Sequence, residues 1–366
     1  MKITFYLDCV SPHQVPLARE VVKRVGMDNF RYVYRDAVQE ERAALGWQMS
    51  GDADWFVHIG TQPDVAREWI ETADVMLTGF RDLELFERRK ANGLTTFYMS
   101  ERWFKPIGVT CCRRRMYLPG RWRLLNGRYR QMARQFVTVA KRDARFRYLA
   151  MGVHAQNDIL KIGFPPDKIV PWAYYVTPSE SPRRWPCEGG PLRVIWLGRM
   201  IDWKHPESVA LAARRCQASG VDVNFSMVGD GPLKTKLTHE ADGLPITLLQ
   251  PQPIGRIREI LRAHDVYVLA SDASEGWGAA LNEALEEGLH ALGTYEAGSS
   301  ATILHESDLF HAGDWRTLAS LLVRCANEKR EGTLKGQGIG EWSAEKAADR
   351  LLSLMKDVGN GFCETK

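Results

Sequence analysis

Short apolar runs alternate with helix-patterned segments along almost the whole chain, and this alternation leaves few folds open to it. In the first half, Lys2 to Leu7 reads as a strand. So do Phe30 to Tyr34, Trp55 to Ile59, Ala73 to Leu77, Thr95 to Met99, Phe146 to Met151 and Lys168 to Trp172. Ala18, Val21, Val22 and Val25 recur at helical spacing before a stop at Gly26, and His154 to Ile162 reads as a second helix. The second half repeats the pattern more cleanly, with strands expected at Val194 to Leu197, Val223 to Val228, Ile246 to Leu249, Val266 to Ala270 and Leu289 to Thr294. Alternation of this kind builds a doubly wound parallel sheet, and its occurrence twice predicts two of them. A chain of 366 residues has room for two domains, each with its own core.

The boundary is expected where the pattern breaks. Pro178, Pro182, Pro186, Gly189, Gly190 and Pro191 crowd the stretch from Tyr175 to Pro191, which is linker composition. The expected division is residues 1–174 for the first domain, 175–190 for a hinge and 191–340 for the second domain. Residues 341–366 remain, and there Ser343 to Lys356 is amphipathic through Ala347, Ala348, Leu351, Leu352 and Met355. That helix is expected to pack back on the first domain.

Composition excludes several classes. No apolar run approaches the length of a membrane-spanning helix, and Asp8 interrupts the first apolar run too early for a signal peptide. The seven cysteines (Cys9, Cys111, Cys112, Cys187, Cys216, Cys325, Cys363) contain no CxxC pair, so reduced thiols and a cytoplasmic location are expected. Adjacent Cys111 and Cys112 have no nearby His or Cys pair to make a metal site. Charge is unevenly spread. Residues 101–150 hold fourteen Lys or Arg against two acids, +12 for the stretch, so the rest of a chain of net charge +4 carries −8. Trp103, Phe104, Tyr117, Trp122, Tyr129 and Phe136 are interleaved with the bases of 102–147. Such a surface suits an anionic membrane or a charged substrate, and a solvated basic face is the plainer account. Nucleic acid is not expected, because no recognised binding module accompanies the charge.

In an open parallel sheet, ligands bind beyond the carboxyl ends of the strands, so the chemistry should lie in the segments that follow them. After the strand at Val194 come Gly198, Arg199 and Lys204, two bases placed to meet a phosphate. After Val228 comes the glycine turn Gly229-Asp230-Gly231-Pro232. After Val266 to Ala270 comes Ser274-Glu275-Gly276-Trp277-Gly278-Ala279-Ala280-Leu281-Asn282-Glu283. There a glycine-bracketed turn opens a helix whose N-terminal N–H groups favour an anion. Two glutamates at this spacing mean little alone, since most such pairs are solvated.

Together these segments resemble the donor domain of the retaining GT-B glycosyltransferases of family 4, the group 1 glycosyl transferases. The resemblance rests on Gly198-Arg199 with Lys204, on Gly229-Asp230-Gly231-Pro232, on His264 to Ser271, and on the E-x7-E pair Glu275 and Glu283 followed by Ala284 and Gly288. It covers about Pro191 to Ala326. It implies a GT-B fold: two Rossmann-like doubly wound parallel-sheet domains facing a central cleft, with a C-terminal helix crossing back to the first. It also implies metal-independent, retaining transfer of a hexose-type sugar from a nucleotide diphosphate, uridine diphosphate by family habit, to a glycan or lipid-linked glycan. Arg199 and Lys204 would then bind the diphosphate, Glu275 the sugar hydroxyls and Glu283 the ribose. Backbone N–H groups of Trp277 to Leu281 would complete the donor contacts, and Leu249 to Gly255 would face the base. No cofactor and no metal are implied.

The family usually has Phe at Trp277, Pro at His290 and paired glycines where Ala297-Gly298-Ser299-Ser300 stands, changes expected to bear on the sugar pocket. On the acceptor side only His13, Glu101 and Arg102 offer candidate groups. Asp52-Ala53-Asp54 has the form of a metal-binding DxD but reads as turn chemistry before a strand. Two alternatives remain: a nucleotide-sugar epimerase of the same fold, and a non-catalytic partner subunit that only binds nucleotide or glycan. A cytoplasmic enzyme, peripheral on the inner face of the membrane through residues 102–147, is the expected setting.

Overall fold

The computed structural model describes residues 1–38, 40–44, 46–47, 54–111, 114–118, 126–185 and 189–360, side chains excepted at 41–42, 107–111, 114–118 and 359–360. The chain divides into two compact units. The first comprises Met1–Ala43, Trp47–Val176 and Glu341–Lys366, the second Ala44–Gly46 and Thr177–Gly340.

Up to Trp172 the elements are β1 (Ile3–Leu7), α1 (Val15–Val25), β2 (Phe30–Tyr34), α2 (Glu40–Ala44), β3 (Phe56–His58), α3 (Pro63–Thr72), β4 (Val75–Thr78) and α4 (Leu83–Ala91). They continue with β5 (Thr95–Ser100), β6 (Ile107–Cys111), β7 (Arg114–Leu118), α5 (Gly127–Lys141), β8 (Phe146–Met151), α6 (Val153–Lys161) and β9 (Ile169–Trp172). Seven strands form one sheet in the order β3-β2-β1-β4-β5-β8-β9, every pairing parallel. Helices on both faces bury such a sheet on both sides, which is why its strands read as continuous apolar runs. All four residues of β4 are buried. The hairpin β6–β7 is antiparallel and forms a separate two-stranded sheet that the sequence pattern did not announce.

The second unit runs β10 (Leu192–Leu197), α7 (Pro206–Ala218), β11 (Val223–Val228), α8 (Lys234–Glu240), β12 (Ile246–Leu249), α9 (Ile254–Arg262) and β13 (Val266–Leu269). Then follow α10 (Ala280–Glu286), β14 (His290–Thr294), α11 (Gly298–Ile303), β15 (Leu309–Phe310) and α12 (Trp315–Arg330). Its six strands are ordered β12-β11-β10-β13-β14-β15, again all parallel. Val194, Trp196, Val266 and Val268 meet Val209, Ala213, Leu318 and Leu322 of α7 and α12 in one core. The closing helix, α13 (Ala344–Asn360), belongs to the first unit, where Arg24 of α1 donates to Asp349 at 2.7 Å. Ala347, Ala348 and Leu351 are fully buried.

The Pro- and Gly-rich stretch after Val176 is anchored to the second unit. Ser179 donates to Glu287 at 2.7 Å, the Trp185 indole to the Gly288 carbonyl at 2.6 Å, and Arg183 to the His264 carbonyl at 2.7 Å. Its composition reflects a chain that runs over a surface without entering a sheet.

The basic stretch differs from its expected form. Trp103, Phe104 and Phe136 are core residues of the first unit, packed with Tyr98, Phe146 and Tyr148. Ala133, Phe136, Val137 and Ala140 share the inner face of α5, so the helical period separates aromatics from bases. Arg128, Arg130, Arg134 and Lys141 remain exposed. The interleaved aromatics therefore do not accompany the bases at the surface; Trp122 lies outside the described residues, as does the Tyr117 side chain.

Candidate functional site

Counted from β10, the second sheet has the order 3-2-1-4-5-6, so its direction of winding reverses between β10 and β13. The crevice beyond the carboxyl ends of two such strands is where open α/β sheets bind ligands. Here it is flanked by the segments carrying Gly198 to Lys204 and Ser271 to Glu275.

The first segment is braced from one side. Met200 N–H donates to the Asp230 carbonyl at 2.7 Å and Gly198 N–H to the Val228 carbonyl at 3.1 Å. A Cβ on Gly229, at φ 150°, would stand 1.9 Å from the Gly198 carbonyl oxygen, and one on Gly231, at φ 151°, 2.6 Å from that of Met200. The close approach these glycines permit is thus to the neighbouring backbone. Asp230 is exposed beside Lys234 at 3.4 Å, and Lys234 donates to Gln250 at 2.8 Å. This joins the ends of β11 and β12.

From the other side, Asp272 N–H donates to the Trp203 carbonyl at 2.8 Å. Lys204 Nζ then reaches Glu275 Oε2 at 2.5 Å, and Ser271 Oγ donates to the same oxygen at 2.9 Å. Thr294 Oγ1 holds the Ser271 carbonyl at 2.5 Å, so the end of β14 also supports the site. Glu275 Oε2 takes both donors, which leaves Oε1 for a hydroxyl. Lysine has three donors, so two remain on Lys204. Arg199 is exposed, and among the described residues its guanidinium makes no ion pair or hydrogen bond. Ser271 and Asp272 are contacts of this arrangement that sequence reading missed; Ser271 sits in the quoted run, but nothing in its spacing marks the contact.

The helix after the turn is short. Glu283 is half-buried in the first turn of α10, and Ala279 and Ala280 are half-exposed at its start. Leu281 N–H is already committed to the Gly278 carbonyl at 3.1 Å and cannot serve a ligand while that turn holds. The Trp277 side chain is fully buried and donates to Asn282 Oδ1 at 2.8 Å, so only its backbone could face a ligand. Gly276 is buried against α11, where a Cβ on Gly298 would meet the Gly276 carbonyl oxygen at 2.3 Å. His290 opens β14 at the opposite end from Thr294 and lies 3.3 Å from Asp308. The departures at Trp277 and His290 therefore do not reshape a sugar pocket. One is a core side chain, and the other belongs to the far end of the sheet.

In the first unit, His13 is 7% exposed, its ring 4.9 Å from Trp47 and 5.9 Å from Tyr174. Tyr174 OH is 3.4 Å from Glu101 Oε1, and burial followed by the Glu101 charge pushes its phenol up. Glu101 also pairs with Lys105 at 2.7 Å. His13 and Glu101 thus meet through Tyr174 at the carboxyl ends of β1, β5 and β9. The Arg102 side chain lies 3.6 Å from buried Asp158. Asp54 is a turn residue before β3, while Asp52, Ala53, Cys112, Cys187 and Cys363 lie outside the described residues. Cys9, Cys216 and Cys325 form no disulfide. Among the described residues no group of His, Cys, Asp and Glu is arranged to hold a metal ion, and no helix is long and apolar enough to cross a membrane.

The family model of the glycosyl transferases group 1 matches residues 191–328. No curated protein matches the chain by sequence. Among solved structures, the Anabaena protein Alr3699/HepE in complex with UDP and glucose has a TM-score of 0.61 at 13% identity, covering 100% of both chains. The lipopolysaccharide outer core galactosyltransferase WaaB, apo form, has a TM-score of 0.60 at 15% identity over 100% of both chains. A glycosyltransferase from Rickettsia africae gives 0.58 at 14%, covering 100% of this chain and 99% of its own. Likeness at such identity is one of fold, and the fold is GT-B: two parallel-sheet α/β domains, of seven and six strands. With the match over 191–328, it supports a glycosyltransferase of that fold.

Proposed function

We propose that this chain is a retaining glycosyltransferase that moves a hexose-type sugar from a nucleoside diphosphate to a glycan or lipid-linked glycan. The observation that carries the reading is the Lys204–Glu275 contact at the point where the winding of the second sheet reverses. It lies within the span matched by the group 1 family model. A uridine donor is favoured because similar structures carry UDP. Arg199 and Lys204 would bind the diphosphate, Glu275 Oε1 the sugar hydroxyls and Glu283 the ribose.

Transfer breaks the bond between the anomeric carbon and the diphosphate oxygen, and the diphosphate departs with the electron pair. Charge therefore grows on the leaving group in the transition state. Fixed cations aimed at it lower the barrier, which is the role assigned to Lys204 and Arg199. No metal is required for that stabilisation. The acceptor hydroxyl attacks the face the diphosphate leaves, and its proton passes to a diphosphate oxygen. His13 and Glu101 are proposed to orient the acceptor.

The test is nuclear magnetic resonance of the protein with UDP-hexoses, with and without oligosaccharide acceptors. Release of UDP with the donor's anomeric configuration kept in the product is expected. An inverted product removes the retaining assignment, and conversion of the donor to its epimer without acceptor favours an epimerase.

Peripheral attachment to the inner face of the membrane now rests on charge alone, through Arg128, Arg130, Arg134 and Lys141. Vesicle flotation is expected to recover the protein with anionic but not neutral lipid, and recovery that falls with salt. Equal recovery with both vesicle types would end this part of the proposal.

A further inference from the structure

One residue beside Lys204 has a backbone that its side chain should discourage. His205 adopts φ 46° and ψ 45°, and it is the only non-glycine residue at positive φ among those described. Side chains are disfavoured in that left-handed region, although histidine tolerates it better than most. Glycine would fit without strain, so the imidazole needs a reason to be there.

Both ring nitrogens face carboxylates. Nδ1 lies 3.6 Å from Glu207 Oε1 and Nε2 3.7 Å from Asp272 Oδ2, in a side chain 25% exposed. Carboxylates beside both nitrogens favour the protonated ring, which carries an N–H on each. Asp272 in turn bonds to the backbone on both sides of the Lys204–Glu275 contact. Its N–H donates to the Trp203 carbonyl at 2.8 Å, its carbonyl accepts from Glu275 N–H at 3.0 Å, and its Oδ1 accepts from Ser274 N–H at 2.7 Å. Lys204 is therefore flanked in sequence by two residues, Trp203 and His205, that both face Asp272.

We propose that His205 is a positioning residue of the donor site: held between Glu207 and Asp272, it clamps the segment carrying Lys204 to the segment carrying Glu275. The proposal rests on the donor-site reading and adds to it a regulation of donor engagement by pH. The charged groups facing the ring are Glu207 of α7 and Asp272 after β13, with Lys204 adjacent and Lys236 of α8 acting on Glu207. Burial works against charge on the ring, but the carboxylates of Asp272 and Glu207 outweigh it and push His205 up to about 9. Burial likewise raises Asp272 and Glu207, and the imidazolium turns both below the usual carboxylate range. Because the folded value exceeds that of a free histidine, the clamp is complete below pH ~6.5 and opens as pH rises through about 9.

The test follows the ring, the loop and the ligand separately. In the native protein without ligand, the ring-carbon signal of His205 and the methyl signal of Ala273 are expected to titrate together near pH 9. In His205→Gly, which suits the left-handed backbone and should fold, the Ala273 step disappears. The dissociation constant for UDP, by calorimetry, is expected to rise about threefold from pH ~7.5 to pH ~9.5 in the native protein. His205→Gly starts about tenfold weaker and lacks this threefold loss, keeping only the alkaline trend that the uracil N–H of UDP brings to both proteins, as a lost coupling requires. An Ala273 signal indifferent to the ring overturns the proposal, and so does His205→Gly binding UDP like the native protein with the same alkaline loss. If Ala273 follows the ring but no nucleoside diphosphate binds the native protein, the clamp stands and the donor-site reading falls.

Discussion

Lys204→Ala is expected to lower kcat/KM for sugar transfer about 10²–10³-fold, mostly through kcat, as loss of one fixed group that stabilises a leaving charge usually does. The effect has two parts. The cation that meets the departing diphosphate is lost. In addition Glu275, whose side chain is 13% exposed, keeps only Ser271 as a donor and leaves an unbalanced negative charge where a dianion must bind. Arg199→Ala should cost less, about tenfold, because an exposed guanidinium acts through a screened field. Lys204→Arg should rescue poorly. The position of an absent Cβ on Gly198 lies 3.3 Å from Lys204 Cδ, so the stem runs along a slot that a planar fork fits badly. Because Lys204 and Glu275 touch, the double variant Lys204→Ala/Glu275→Ala should cost much less than the two single losses multiplied. Kinetic constants with a UDP-hexose, compared at matched melting temperature, check this. A Lys204→Ala protein within about threefold of native kcat/KM would remove Lys204 from the leaving-group role.

That contact also marks how far sequence carries. Val223–Val228 and Ile246–Leu249 are strands at the residues where the apolar runs place them, because most residues of a strand in a sheet flanked by helices are apolar and glycine or proline turns bound both runs. Lys204 and Glu275 are separately legible as a base and an acid that follow strands. Their meeting is not, because it joins residues 71 apart through the adjacency of β10 and β13. The same holds for Asp272, whose part depends on a backbone hydrogen bond to Trp203.

In the first unit, α5 was hidden by its own charge. Ala133, Phe136, Val137 and Ala140 have helical spacing, yet composition drew the eye to the arginines between them. Periodicity there outweighs composition, since burial of one face decides the helix and solvent tolerates any charge on the other. Trp277 misled in a different way. An aromatic beside Glu275 reads as a pocket wall, but its indole is buried and bonded to Asn282 five residues on. The adjacency was visible in sequence, and the direction of the side chain was not.

Asp265→Ala is expected to destabilise the second unit by about 3–5 kcal/mol, the usual result of removing one partner from a buried ion cluster. Asp265 is fully buried and accepts from Lys329 Nζ at 2.8 Å, from Arg193 N–H at 2.7 Å and from Arg183. Lys329 is itself buried and also donates to the Pro191 carbonyl at 2.7 Å, so the cluster ties α12 and the start of the unit to β13. Without the carboxylate, the ammonium of Lys329 and the guanidinium of Arg183 stay buried with no anion. For a unit of this size the loss corresponds to roughly 6–20 °C in Tm, read by calorimetry, and where two transitions resolve only one should move. Asp265→Leu with Lys329→Met should recover only the part owed to Lys329, because the Arg183 guanidinium stays buried without its carboxylate. Burial raises the Asp265 carboxyl, but Lys329 and the Arg193 N–H outweigh it and hold it below the usual carboxylate range. Its contribution is therefore present above pH ~4 and lost as pH falls through the depressed folded value. A Tm shift under about 2 °C would show the cluster to be dispensable. At 25 °C kcat should be unchanged, in contrast to Lys204→Ala, whose main effect should be on rate. The two results would assign separate work to the two ends of β13, with Asp265 before the strand holding the sheet to its flanking helix and Ser271 to Glu275 after it meeting the donor.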